Sequence, residues 1–146
     1  MSEPKEQIKI GKKTTTAQKE EPEPVSKGIP ASKTIDLTNK GIGPIKNLEM
    51  SSVMDQTMVV AGKELFKVKC MACHKIDKRF IGPAPTGILK RRTPEWIMNM
   101  ILNPEQMVKE DPLAKELLKE FNGSPMANQS LTEKEARDIL EYFRTL

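Results

Sequence analysis

Hydrophobic positions in this chain fall into three regimes. Up to about Lys33, residues of Lys, Glu, Thr and Pro follow one another with hardly an aliphatic side chain, and Glu21-Pro22-Glu23-Pro24 is the stiffest part. Such a stretch has too little apolar surface to offset the entropy of ordering it, so residues 1–33 read as a disordered tether. Over residues 34–57, Ile35, Leu37, Ile42, Ile45, Leu48 and Val53 are interleaved with Gly41, Gly43 and Pro44. That pattern predicts an extended segment that can pack on a domain without forming a core of its own.

From Met58 the helical period takes over. Met58, Gly62, Phe66 and Cys70 recur every four residues, with Val59 and Leu65 beside them, which predicts an amphipathic helix. Gly62 costs that helix about 1 kcal/mol relative to alanine, so another backbone is expected to approach closely there. Thr93-Pro94 supplies an N-cap and first residue for a second helix with Ile97, Met100 and Ile101 on one side; Asn103-Pro104 closes it. Asp111-Pro112 repeats the opening, followed by Leu113, Leu117, Leu118 and Phe121 and a C-cap at Asn122-Gly123. Thr132 to Glu135 is a capping box, and Ala136, Ile139, Leu140 and Phe143 give the last helix its buried stripe. Residues 58–146 therefore read as an all-α domain of about four helices.

Composition changes the picture at one point. The chain has two cysteines and one histidine, and all three fall within Cys70-Met71-Ala72-Cys73-His74. This is C-x-x-C-H, the attachment site of a c-type haem: two thiols at the spacing of the haem vinyl groups, and an adjacent imidazole as proximal iron ligand. Zinc would need a fourth ligand. A thioredoxin-like pair would need a βαβ setting, and a plain disulfide leaves His74 unexplained. The loop Ile81-Gly82-Pro83-Ala84-Pro85 follows closely and can offer a carbonyl to the imidazole Nδ1–H, with Pro83 as the candidate.

The sixth iron position decides between electron carriage and chemistry. No second histidine exists, so a methionine is the strongest internal candidate. Of Met58, Met71, Met98, Met100, Met107 and Met126, the last is favoured. It lies in a loop just before the final helix, stiffened by Pro125, whereas Met98 and Met100 sit on a helix and Met107 in a charged link. Met107, or an open or lysine-ligated iron, are the alternatives.

With Gly62 and Phe66 ahead of the attachment motif, the Gly82-Pro83 loop, Pro125-Met126, and Leu131-Thr132-Glu133 leading to Tyr142, the chain resembles a class I c-type cytochrome from Val59 to Leu146. The resemblance implies the cytochrome c fold around one covalent haem c, with the first and last helices crossing so that Gly62 and Phe66 meet Tyr142. It also implies that Trp96 can donate its indole N–H to a haem propionate, with core packing the equal alternative. Arg91 and Arg92 can neutralise a propionate, although a solvated basic pair is the plainer reading. Pro94 to Met107 is similar to the cytochromes that accompany nitrous-oxide reductase in some bacteria, which suggests a partner.

Charge is distributed unevenly. Residues 1–57 carry nine lysines against eight acids, so the tether is no nucleic-acid-binding arm. Lys63 to Arg92 hold nine basic and two acidic residues, whereas Thr93 to Leu146 hold six and ten. Lys67, Lys69, Lys75 and Lys78 thus surround the attachment site and can steer it toward an acidic face on an oxidase or reductase. The expectation is a non-enzymatic, monomeric electron carrier. A detached electron-entry domain of a larger reductase is the alternative, and a haem enzyme or gas sensor the more distant one. No apolar run is long enough to cross a bilayer. Met1 to Lys13 lack the apolar core of a secretory signal, so a periplasmic location is expected of a form whose export signal is missing.

Overall fold

The computed structural model describes residues 28–146, so residues 1–27 of the tether expected over residues 1–33 lie outside it. Five α-helices follow a 3-10 turn at Ala31–Lys33: α1 (Gln56–Lys69), α2 (Pro94–Leu102), α3 (Pro104–Glu110), α4 (Pro112–Glu120) and α5 (Glu133–Phe143). The described residues hold no strand, only an isolated parallel bridge between Asp36 and Arg92.

Proline sets the helix starts. Pro94, Pro104 and Pro112 each occupy a first turn, where a missing N–H costs nothing. Thr93 and Asp111 accept the orphan N–H groups of Trp96 and Ala114 at 3.1 and 2.9 Å. Thr132 and Glu135 form a reciprocal capping box on α5. The fifth helix is a correction to the expected four. Asn103 caps α2 and α3 at once, so the stretch read as a charged link coils into a short helix that buries Met107 completely.

The core is built on the crossing of α1 and α5. Gly62 lies against Asp138 and Ile139, where a Cβ would stand 1.9 Å from the Asp138 carbonyl oxygen. One turn on, Phe66 packs on Tyr142 and Phe143, ring centroids 5.9 and 5.7 Å away. Phe66 makes the aromatic contact with Tyr142, and Gly62 makes room for the backbone of α5. Helix α2 packs on α5 and α3 on α4.

Residues 34–55 run over this bundle without regular structure, so their backbone polar groups need partners from elsewhere. A row at four-residue spacing along α2 provides them. Glu95 accepts from Leu48 N at 3.0 Å, the Asn99 amide serves Ile45 N, Ile45 O and Lys40 O at 2.9–3.0 Å, and Asn103 donates to Ile42 O at 3.2 Å. Met107 Sδ continues the row, accepting from Ile42 N at 3.1 Å. At the far end Glu141, 1 % exposed, accepts from Asp55 N, Arg137 and Arg144 at 2.6–2.9 Å. Burial opposes its ionisation, but those partners hold its carboxyl below the usual carboxylate range.

The stretch just before this segment also departs from expectation. Ala31 and Ser32, read as part of the end of the tether, are packed on the domain. Ala31 is buried, and Ser32 donates its N–H and hydroxyl to the Glu120 carboxylate at 2.9 and 2.5 Å. Their composition resembles the tether, but α4 and Arg92 supply the partners that order them.

Candidate haem site

Helix α1 ends at Lys69, and the chain turns at once through the attachment motif. Cys70 N donates to Phe66 O, and Cys73 N and His74 N donate to Cys70 O at 3.1 and 2.9 Å. This single tight turn puts Cys70, Cys73 and His74 on the wall of one cavity. Both cysteines are free thiols, Cys70 buried and Cys73 exposed. Burial first, and the neighbouring Cys73 second, push the Cys70 thiol up to about 11.

His74 is fixed by the loop behind it. Its Nδ1 lies 2.8 Å from Pro83 O. A carbonyl only accepts, so Nδ1 carries the proton and Nε2 is left with a lone pair that could ligate a metal. Gly82 presses on the same ring. A Cβ there would lie 2.4 Å from Cε1, 2.8 Å from Nδ1 and 3.0 Å from Nε2. Gly82 N in turn donates to Cys73 O at 2.7 Å, closing the loop onto the attachment turn.

The cavity has a volume of about 220 Å³, against the ~10–15 Å³ that holds one water. Its walls come from all five α-helices, and Phe66, Ile97, Ile101, Val108, Leu117 and Phe143 are among the apolar side chains. Met126 lines it from the loop before α5, half-buried, and Met100 lines it from α2. The other candidate methionines do not: Met58 and Met71 lie elsewhere on the surface or the flank of α1, Met98 is buried outside it, and Met107 is occupied by Ile42.

Trp96 lines the cavity, and its indole N–H donates to Asp111 Oδ2 at 2.9 Å. The indole thus serves the cap of α4 in this structure, and Asn39 donates to the other oxygen of Asp111 at 2.7 Å. The solvated reading of the basic pair is corrected. Arg91 is half-buried and Arg92 only 3 % exposed, and both line the cavity. Sequence reasoning assigned no role to Gly82 and left Ser32 in the tether; both line this cavity.

A haem fits what is present. The donor set is two thiols at C-x-x-C spacing, an oriented imidazole and a thioether, facing an apolar volume whose wall leaves room at Gly82 only for the His74 ring. Among the described residues no cluster of His, Cys, Asp and Glu offers an alternative metal site.

Comparison with known proteins agrees with this geometry. The family model described as cytochrome c matches residues 59–146. A cytochrome c from Rhodothermus marinus is 40% identical, with a TM-score of 0.69 over 80% of this chain and 92% of that one. An engineered form of that cytochrome, Rma TDE, is 39% identical with a TM-score of 0.69, covering 80% of this chain and 93% of its own. The engineered form bound to a carbene intermediate is 39% identical with a TM-score of 0.66 over the same shares. Comparison with curated proteins found no match. The chain belongs to the cytochrome c family, whose fold implies a covalently bound haem c and a role in electron transport.

Proposed function

We propose that this cytochrome passes single electrons between redox proteins through a haem c anchored by Cys70 and Cys73 and ligated by His74 and Met126. When bound, the haem supplies a one-electron iron(III)/iron(II) couple. The observation that carries the reading is that His74 and Met126, far apart in sequence, line one apolar cavity with both thiols. Pro83 O holds the imidazole in the ligating tautomer, and the apolar walls keep water from the iron. With protein side chains on both axial positions no site remains for a substrate, which favours carriage over catalysis.

Met126→Ala is expected to abolish the weak near-infrared iron–sulfur charge-transfer band and to lower the reduction potential, because thioether ligation raises it. A retained band would move the assignment to Met100, the other methionine on the wall.

The partner face follows from charge. Lys67, Lys69, Lys75 and Lys78 are exposed around the attachment turn, with Met71, Phe80 and Ile81 as exposed apolar residues among them. Lys75 Nζ lies 4.8 Å from the centroid of the Phe80 ring. Such a face suits an acidic surface on an oxidase or a reductase, nitrous-oxide reductase included, with the covalent haem placing the encounter in the periplasm. Raising ionic strength shortens the Debye length from ~10 Å at 0.1 M to ~3 Å at 1 M. The bimolecular electron-transfer rate is expected to fall about tenfold or more over that range. Stopped-flow rates that do not change with salt would remove the steering role of these lysines.

Among the described residues no helix is long and apolar enough to cross a membrane.

A further inference from the structure

The loop that carries Met126 has few bonds to the rest of the molecule. Among the described residues, every hydrogen bond of residues 122–130 runs back to the end of α4 or stays within the loop. Asn122 N, Gly123 N and Ser124 N donate to Lys119 O, Leu118 O and Phe121 O at 2.7–3.2 Å. Ser130 N donates to Asn128 Oδ1 at 2.8 Å, and Gln129 Nε2 to Ala127 O at 3.4 Å. The chain leaves α4 through Asn122 and Gly123, both at positive φ (60° and 71°), and no further bond fixes its direction before Thr132 caps α5. Where Met126 stands is therefore set by where α4 ends.

That end is gripped from the His74 side of the cavity. Arg79 belongs to the loop that follows His74 and that Gly82 N fastens to Cys73 O at 2.7 Å. Its guanidinium lies over the Phe121 ring, 4.0 Å from the centroid, donates to Glu120 O and reaches Glu120 Oε1 at 3.5 Å. Ser32 N and Oγ hold the same carboxylate at 2.9 and 2.5 Å. The ion pair alone is weak, because the Arg79 side chain is 52% exposed and such pairs contribute little. The grip comes from the aromatic face and the charge-assisted bond to the carbonyl. Both belong to the two residues from which the loop departs, and Phe121 lines the cavity beside Ser124, Pro125 and Met126. We infer that Arg79 is a positioning residue for the distal ligand: by clasping the end of α4 to the proximal loop it holds Met126 at the iron, and without it that place opens to an outside ligand. The inference rests on the proposed ligation by Met126.

The test is a titration of the ferric holo-protein with imidazole, followed in the visible and near-infrared spectrum. Imidazole has to displace the thioether, so its apparent affinity scales with the fraction of molecules in which Met126 is off the iron. Arg79→Gln should raise that affinity about tenfold, close to the weight of one hydrogen bond to a charged group. Arg79 is exposed and lies outside every helix, so this variant is expected to fold. In a Met126→Ala background no thioether is left to displace, and Arg79→Gln should then leave imidazole affinity unchanged. An Arg79→Gln protein with wild-type imidazole affinity and only a lower melting temperature would make Arg79 a structural peg and overturn the assignment. Equal gains with and without Met126 would also overturn it, because the arginine would then restrict entry to the cavity rather than place the methionine. Failure of the ligation reading looks different: Met126→Ala by itself would leave imidazole affinity at the wild-type value.

Discussion

Gly62→Ala is expected to destabilise the holo-protein by about 3 kcal/mol, the upper part of the range for overpacking a close contact. Helix propensity alone predicts the opposite, a gain of about 1 kcal/mol for alanine over glycine. The crossing decides the sign. A Cβ at Gly62 would stand 1.9 Å from Asp138 O, 2.4 Å from Asp138 C and 2.9 Å from Ile139 Cα. All three are backbone atoms of α5, so no side-chain rotation relieves them. The helices must separate, and the Phe66 contacts with Tyr142 and Phe143 loosen with them. For a domain of this size a loss of about 3 kcal/mol lowers the melting temperature by roughly 12–24 °C. Thermal denaturation followed by circular dichroism measures it, and a melting temperature at or above wild type would show that α1 and α5 do not cross at this distance.

That glycine was legible because it broke a local rule. A costly residue in the middle of an otherwise regular helix has a tertiary reason, and the reason needs only one close neighbour. Helix starts were legible for a similar cause: Thr93-Pro94, Asp111-Pro112 and Thr132 to Glu135 satisfy their N–H groups within four residues. The attachment turn is also local.

What periodicity missed depends on the path of a segment that has no periodicity. Glu95, Asn99 and Asn103 stand four apart on α2 and its C-cap, a polar row along a helix read only for its apolar side, and their partners are backbone groups of residues 40–48. The signal was present in the spacing. It lacked meaning until the extended segment was laid along it. The burial of Arg92 and the partner of the Trp96 indole were out of reach for the same reason. Each has a partner or a burial decided by Ala31, Thr34 or Asp111, none of which is near in sequence. The methionines divide along the same line: Met107 is drawn into the core by Ile42 N, while Met126 remains on the cavity wall.

Gly82→Ala is expected to break the proximal side of the haem site while leaving most of the helices intact. The added Cβ would meet three atoms of one imidazole, 2.4 Å from Cε1, 2.8 Å from Nδ1 and 3.0 Å from Nε2. Either the ring or the loop has to give, and each is held. The ring is tied through Nδ1 to Pro83 O at 2.8 Å, and the loop through Gly82 N to Cys73 O at 2.7 Å. Moving the ring sacrifices the bond that fixes its tautomer; moving the loop pulls on the turn that carries both thiols. In each case His74 is displaced from the geometry that a ligand must keep, where losses of 10–100-fold in affinity follow even from removing an outer hydrogen-bond partner. On the proposed ligation by His74 and Met126, the ferrous holo-protein is therefore expected to lose its six-coordinate spectrum and to bind carbon monoxide, which a wild type so ligated would resist. Far-ultraviolet circular dichroism should fall less than in Gly62→Ala, because Gly82 lies outside every helix and touches none of the α1–α5 crossing. The two alanine substitutions thus separate fold from ligation. A Gly82→Ala protein with the wild-type spectrum and no carbon monoxide binding would mean that the His74 ring is not seated against this glycine in the loaded protein.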